Sequence, residues 1–418
     1  MKWDNRPTTA QQRFLEWEMG AFFHFGIRTF YEGHRDWDGL PMPAEAFRPD
    51  ALDCGQWIRA VKAAGCRYAV LVCKHHDGFA NWPSAQSDYG VAQTPWRNGR
   101  GDVVREFTEA CRREGLAVGL YYSPAQFGSV QADEAAYNDY FIAQITELLT
   151  NYGRIDYLWF DACGSGDFCY DTEKIVSVIR SLQPEILIFN LWDPDTRWVG
   201  NESGVAGLGN RSFVENFDLS LDAKQPQRLE RPAFLPAECD TCIRGHDWFY
   251  SEKNEASLKS VEELLGLYEH SVGRGANFLL NIGPDRRGLL PDVDVERLRA
   301  FGEARKRRYK DARVPGLRQE VSRDERGRML LRLEWDAPRL VSRAILREDL
   351  TQGERVRAFS LRAWPEDKCP PVEVYIGRGI GHKHIASFPP IRTRRMEVVI
   401  DASDGEPVWG AAEVLEAE

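Results

Sequence analysis

Up to about residue 300, short apolar runs alternate with stretches whose apolar positions recur at helical spacing. The runs GAFFHFGI (20–27), YAVLVCKH (68–75), LAVGLYYS (116–123), DYLWFD (156–161), ILIFN (186–190) and ANFLLNIG (276–283) predict strands. Between them, DCGQWIRAVKAAG (53–65), DVVREFTEACRREG (102–115), a segment near 135–152, TEKIVSVIRSLQ (172–183) and SVEELLGLYEHSVGRG (260–275) predict amphipathic helices. Gly115 reads as the C-cap of its helix. Continuously apolar strands separated by helices mean a parallel sheet covered on both faces. About seven such units fit a (β/α) barrel of TIM type. A doubly wound sheet would need a glycine-rich phosphate turn after its first strand, and none is there.

Around EARKRRYKDARVPG (303–316) the pattern changes. Beyond it, MLLRLEW, RVRAFSLRAW, VEVYIG and RMEVVID alternate apolar with polar positions between turn residues. That period predicts a small antiparallel β-sandwich. The α/β chain therefore divides into a barrel over residues 1–312 and a sandwich over 317–418. No repeat or low-complexity tract interrupts either part.

Composition narrows the function. Of 418 residues, 43% are apolar and 28% charged, ordinary stock for a large core. A net charge of −10 argues against nucleic acid or an anionic membrane as partner. No apolar run approaches a membrane span, and MKWDNRPTTAQQRF lacks the basic and apolar regions of a secretory signal. The 13 Trp and 14 Tyr exceed what a core needs, and flat aromatic faces suit the stacking of sugar rings. Cys54, Cys66, Cys73 and Cys111 fall in segments that read as core, which suits a reducing cytoplasmic setting. The CDTC at Cys239–Cys242 has redox or zinc spacing, but no second ligand pair accompanies it, so a structural reading is preferred.

In a barrel of this kind, side chains at the C-terminal strand ends face the active site. Those ends deliver His24 from the first strand, His75, His76 and Asp77 from the second, Tyr121 from the third, and Trp159 with Asp161 from the fourth. Trp159 and Asp161 are two apart and project to one side. Three histidines with a carboxylate suggest a metal set, or neutral imidazoles that hydrogen-bond hydroxyls, or structural histidines. Adjacent histidines on a strand point opposite ways, so one site holds both only at an irregular strand end. Hydroxyl binding is the preferred reading, with no metal. No loop forms a phosphate cradle, so no nucleotide cofactor is expected.

Several blocks resemble the α-L-fucosidases, family 29 of the glycoside hydrolases. They are FFHFG, the segment FRPDALDCGQWIRAVKAAGCRYAVLVCKHHDGFANWPSAQSDYGV, GDVVREFTEACRREGLAVGLYYSP, YLWFD and SVGRGANFLLNIGPDRRGLLP. The segments RWVGNESGVAG (197–207) and PAECDTCIRGHDWFY (236–250) are similar to the branch that prefers branched α-1,3/1,4-linked fucose. VSRAILREDLTQGERVRAFSLRAW and GIGHKHIASFPPI resemble that branch's galactose-binding-like sandwich, which either binds sugar or packs on the barrel. The resemblance implies a retaining exo-α-L-fucosidase acting on short fucosylated oligosaccharides. A related sugar such as α-L-galactose on the same fold, or a carbohydrate-binding protein without catalysis, are the alternatives.

Retaining hydrolysis needs one carboxylate to attack the anomeric carbon and one carboxylic acid to protonate the leaving oxygen. The resemblance places the nucleophile at Asp161. RWVGNE points to Glu202 as acid/base, with Gly200 and Gly204 letting the backbone approach the site. Glu238 is the rival for that role, or a substrate-binding residue. The resemblance further implies that His24, His75 and His76 bind fucose hydroxyls, with Tyr121 and Trp159 completing the pocket and Trp248 against the C5 methyl. Trp37 falls where the family carries a hydroxyl-binding Glu-Trp pair, and this chain has Asp36 in place of that Glu. After Asp161 it reads ACGSG where the branch has an extra glycine, and after Ser123 it reads PAQF where the branch has a Trp-Asp. Both loops border the leaving-group side.

Overall fold

The computed structural model describes residues 5–31, 42–127, 133–161, 163–166, 168–215, 229, 231–245, 247–365 and 369–418. Eight parallel strands form one sheet. In chain order they are β1 (Met19–Phe23), β2 (Tyr68–Lys74), β3 (Ala117–Tyr122), β4 (Tyr157–Phe160), β5 (Leu187–Phe189), β6 (Arg197–Trp198), β7 (Ala237–Cys242) and β8 (Asn277–Asn281). Across the sheet the order is β5-β4-β3-β2-β1-β8-β7-β6. A parallel bridge between Phe189 and Thr196 brings the two edges together and closes the barrel. The expected TIM-type fold is the observed one.

Each layer follows from alternation along the strands. Phe22, Tyr68, Val70, Val72, Tyr121, Tyr157, Trp159 and Phe189 fill the barrel interior. Their neighbours Ala69, Leu71, Leu120, Leu158 and Phe160 turn outward into the layer under the helices. Helices α1 (Thr9–Trp17), α2 (Cys54–Ala64), α3 (Val103–Glu114), α4 (Glu134–Asn151), α5 (Thr172–Leu182), α6 (Val261–Ser271) and α7 (Asp292–Lys306) surround the sheet. Asp53, Asp102, Asp133 and Asp171 cap α2 to α5 through side-chain acceptors. Phe14 of α1 enters the interior cluster from below, where Asn277 Nδ2 donates to its carbonyl at 2.7 Å.

Two barrel strands, β6 and β7, fall within residues 191–259, where the sequence predicts no strand. β7 reads AECDTC because its inward positions carry carboxylates, Glu238 and Asp240, where a hydrophobic run would be sought. β6 has only two residues, too few for any period. Among the described residues no helix separates β6 from β7. Instead, residues 203–215 lie beside α6, held by Ala206 N to His270 O (2.9 Å), Arg274 Nη1 to Ala206 O (2.6 Å) and Asn210 Nδ2 to Arg274 O (2.9 Å).

The C-terminal part is an antiparallel β-sandwich with its own core, including Leu333, Trp335, Phe359, Leu361 and Val398. Its strands are β9 (Arg318–Arg323), β10 (Met329–Glu348), β11 (Val356–Ala363), β12 (Val372–Gly377), β13 (His384–Ser403) and β14 (Trp409–Glu416). The sandwich is fastened near the N-terminal ends of β1 and β8, opposite the mouth of the barrel. Lys383 Nζ donates to both carboxylate oxygens of Glu18 (2.9 and 2.8 Å), and Ile385 N to Gly273 O (2.9 Å). Lys383 and Tyr268 hold the half-buried Glu18 carboxyl down to about 2 against the opposing effect of burial.

Candidate active site

The C-terminal ends of β1 to β4, β7 and β8 gather three imidazoles, carboxylates and a wall of aromatic rings. His24 follows β1 and is buried. Its Nδ1 meets Asn281 Oδ1 at 2.8 Å, and Asn281 Nδ2 donates to Trp248 O at 2.8 Å. Because the amide nitrogen of Asn281 is committed, its Oδ1 accepts from His24 Nδ1, leaving Nε2 as an acceptor in the neutral ring. Burial pushes His24 down to about 3, outweighing the Asn281 bond.

His75 and His76 reach the same mouth because β2 ends irregularly. Pairing between β2 and β3 slips by one residue, so that Val72 faces Tyr121 and Lys74 faces Tyr122. His75 then lies parallel to the Tyr121 ring, 5.6 Å between centroids and 10° apart. Its Nδ1 is buried with no partner among the described residues. Burial first, then the neighbouring His76, His24, Arg28 and Lys74, hold its imidazole well below the ordinary value. Ser123 gives its hydroxyl proton to Ala125 O (2.7 Å), so His76 Nδ1 donates to Ser123 Oγ (2.5 Å). His76 Nε2 is thereby turned to Asp161 Oδ2 at 3.5 Å. Asp77, the third polar residue of HHD, faces away: its carboxylate accepts from Arg28 Nε (2.9 Å) and Phe79 N (2.7 Å) and fixes the loop.

Asp161 stands just past β4. Tyr121 OH donates to its Oδ2 at 2.7 Å and Cys163 N to its Oδ1 at 2.9 Å. Its side chain is 22% exposed, which leaves it open to a substrate at the mouth. Trp159 stacks on Phe189 at 4.1 Å and on Tyr121 at 5.4 Å. Trp248 lies 4.9 Å from His24, and Phe249 packs edge-on against both His24 and His75.

The structure separates the two glutamates singled out in the sequence. Glu202 is exposed on the segment after β6, and its charge acts on Asp240 and Cys242 near the C-terminal end of β7. Gly204 has φ +72°, and a Cβ there would meet Thr241 Cγ2 at 2.8 Å, so the segment packs this closely on β7 only with glycine. Glu238 is 0% exposed inside the barrel, one inward position below Asp240. It accepts from Tyr68 OH (2.5 Å), Tyr157 OH (3.2 Å) and Trp159 Nε1 (2.8 Å), and burial raises its carboxyl to about 7 despite these donors. Glu238 therefore supports Trp159 from beneath. Asp36 and Trp37 lie outside the described residues.

Sequence reasoning passed over Asn281, Phe249, Ser123, Trp198 and Asp240. Asp240 is buried and accepts from Trp198 Nε1 at 2.6 Å. Burial, the Glu238 charge and the Glu202 charge push its carboxyl well up, against the Trp198 bond. A signal was present: Asp240 is two residues from Glu238 and so shares its face.

Neutral imidazoles beside a carboxylate and flat apolar rings suit a ring compound that carries several hydroxyls and one apolar face. The α-L-fucosidase family model matches residues 41–307. This chain belongs to the α-L-fucosidase family. α-L-Fucosidase 1 of Arabidopsis thaliana is 32% identical over 444 residues, covering 96% of this chain and 86% of that one. Tissue α-L-fucosidase of Mus musculus is 27% identical, covering 68% and 61%. A glycoside hydrolase 29 family member from an unknown rumen bacterium, a solved structure, superposes with a TM-score of 0.89 at 31% identity, covering 100% and 78%. α-L-Fucosidases are glycoside hydrolases, and the likeness to the plant enzyme and the bacterial structure takes in the sandwich as well as the barrel.

His75, His76 and Asp161 each bring a ligand-type atom within 4.8 Å of the others, close enough for a cation to bridge. Yet His76 Nδ1 is committed to Ser123 and both Asp161 oxygens accept protein donors. The hydroxyl-binding reading predicts that His76→Ala raises KM and lowers kcat for an aryl α-L-fucoside. The combined loss in kcat/KM should be about 10²-fold, the scale of hydrogen bonds that strengthen at the transition state. Incubation with a chelator should change nothing. Activity lost to chelator and restored by a divalent ion would assign the cluster to metal instead.

Proposed function

We propose that this chain is a retaining exo-α-L-fucosidase that releases terminal α-1,3/1,4-linked L-fucose from short branched oligosaccharides. The observation that carries the reading is Asp161: a part-exposed carboxylate at a barrel strand end, beside His75 and His76 and held by Tyr121 OH and Cys163 N. Asp161 attacks the anomeric carbon as the bond to the leaving oxygen breaks, and Glu202 gives that oxygen its proton. Water then attacks the same carbon from the opposite side, Glu202 takes its proton, and Asp161 leaves with its electron pair. Two inversions return the α configuration. His24 and His75, kept neutral by burial, accept hydrogen bonds from substrate hydroxyls without placing a charge beside the developing oxocarbenium. The faces of Trp248 and Phe249 suit the C5 methyl, which the hydroxymethyl of α-L-galactose would replace.

The sandwich acts as a brace for the barrel on this reading, since its contacts lie at the end away from the mouth. Cys54, Cys66, Cys73 and Cys111 are buried free thiols, which supports a cytoplasmic setting. One panel tests the whole proposal: fucose release from an aryl α-L-fucoside and from α-1,2-, α-1,3- and α-1,4-fucosylated oligosaccharides, with an aryl α-L-galactoside alongside. The α-1,3 and α-1,4 substrates should be cleaved at least tenfold faster than α-1,2. Preference for α-1,2 would end the linkage assignment. Faster cleavage of the galactoside would end the sugar assignment.

A further inference from the structure

Uninterrupted alternation along β2 would put Lys74 inside the barrel and His75 outside it. The slip at Cys73 reverses this, and Lys74 points with Tyr122 into the layer between β3 and α4. Lys74 is fully buried there. Its Nζ lies 4.4 Å from the Tyr122 ring centroid and 5.6 and 5.8 Å from those of Tyr137 and Tyr140. It donates to Gln126 Oε1 at 3.1 Å and to Tyr137 OH at 3.2 Å. Burial draws the lysine down to about 7, with Asp77 opposing. A buried ammonium survives only where its donors are taken up, so this cage is a committed arrangement.

Both hydrogen-bond acceptors of that ammonium, Gln126 and Tyr137, belong to or hold the loop that carries the contacts of His76. Tyr137 OH donates to Pro124 O. Gln126 lies over Gly78 (φ +81°), where any Cβ would collide with its amide. Ser123 N donates to Lys74 O at 2.9 Å and Phe127 N to His76 O at 2.8 Å. The Phe127 ring sits 5.3 Å from the His76 ring, and Ser123 Oγ accepts from His76 Nδ1.

We propose that Lys74 is a positioning residue for the hydrolase reaction: its caged ammonium locks the β2 bulge to residues 123–127 and so aims His76 at Asp161. This rests on the hydroxyl-binding reading of His76 given above.

A double-mutant cycle tests it, measured as kcat/KM on an aryl α-L-fucoside with folding checked by thermal unfolding. Lys74→Met, which keeps the volume and removes the charge, should lower kcat/KM about 10- to 100-fold when His76 is present. In the His76→Ala background the same change should cost less than about twofold, because the residue it acts through is gone. A lysine that merely stabilises the fold would give equal losses in both backgrounds, and that result overturns the proposal, as does an unaffected Lys74→Met. Full activity in His76→Ala alone would instead sink the reading of His76, and it is visible in that arm by itself. Should Lys74→Met fail to fold, Gln126→Leu carries the same cycle, since it cuts the link to the loop and leaves the ammonium in its cage.

Discussion

Replacing Asp161 by glycine is expected to cut turnover of an aryl α-L-fucoside by about 10⁴-fold, roughly 5.5 kcal/mol at the transition state. The fold should survive, because the side chain is part-exposed and water can take its place beside Tyr121 OH, Cys163 N and His76 Nε2. Sodium azide should restore part of the rate. A small anion fits the space of the missing carboxylate, meets the same two donors, and attacks the anomeric carbon from the same face. The product is then a β-fucosyl azide, which the anomeric proton coupling identifies by NMR. A variant that keeps ordinary activity, or an azide product of the α configuration, removes Asp161 from the role of nucleophile.

The second large effect divides Glu202 from Glu238 through the leaving group. A general acid matters when the leaving alkoxide is poor, as a sugar hydroxyl is, and little when an acidic phenol departs unaided. Glu202→Ala should therefore lose about 10³-fold or more on fucosylated oligosaccharides yet form the fucosyl-enzyme readily from an activated aryl fucoside. That intermediate should accumulate, since the same residue activates water in the second step, and intact-protein mass spectrometry would register it. Azide should rescue turnover with an α-fucosyl product, opposite to the Asp161 case. Glu238→Ala should behave differently. Its carboxyl lies beneath Trp159 and accepts from Tyr68, Tyr157 and Trp159, so its loss loosens the pocket floor and hurts both substrates alike. If Glu238→Ala shows the leaving-group dependence and Glu202→Ala the uniform loss, the two roles exchange.

Much of the fold was open to reading because the signals are local. Alternation of apolar strands with amphipathic helices depends on residues a few positions apart, and Gly115 closes α3 as the C-cap the sequence predicts. The two-residue spacing of Trp159 and Asp161 placed both on one side of the mouth for the same reason. β7 escaped notice because its inward face is built of Glu238 and Asp240, and polar residues there break the apolar run by which a buried strand is recognised. A functional face erased its own structural signal.

By itself, the sequence determined a barrel, its helices, a sandwich of period two, and a histidine pair and an aspartate at strand ends. The tertiary structure alone decided how these converge. The bridge from Phe189 to Thr196 joins segments that only barrel closure brings together. The slip at Cys73, which lets two adjacent histidines face one mouth, exists only against β3 and is stabilised by Tyr137 on α4, far along the chain. Which glutamate stays at the surface and which is enclosed follows from the register of β7 against β8, where Glu238 pairs with Asn277 and Asp240 with Leu279. Periodicity is a property of neighbours in the chain. Register, closure and burial of a charge are properties of partners that the chain meets only when folded.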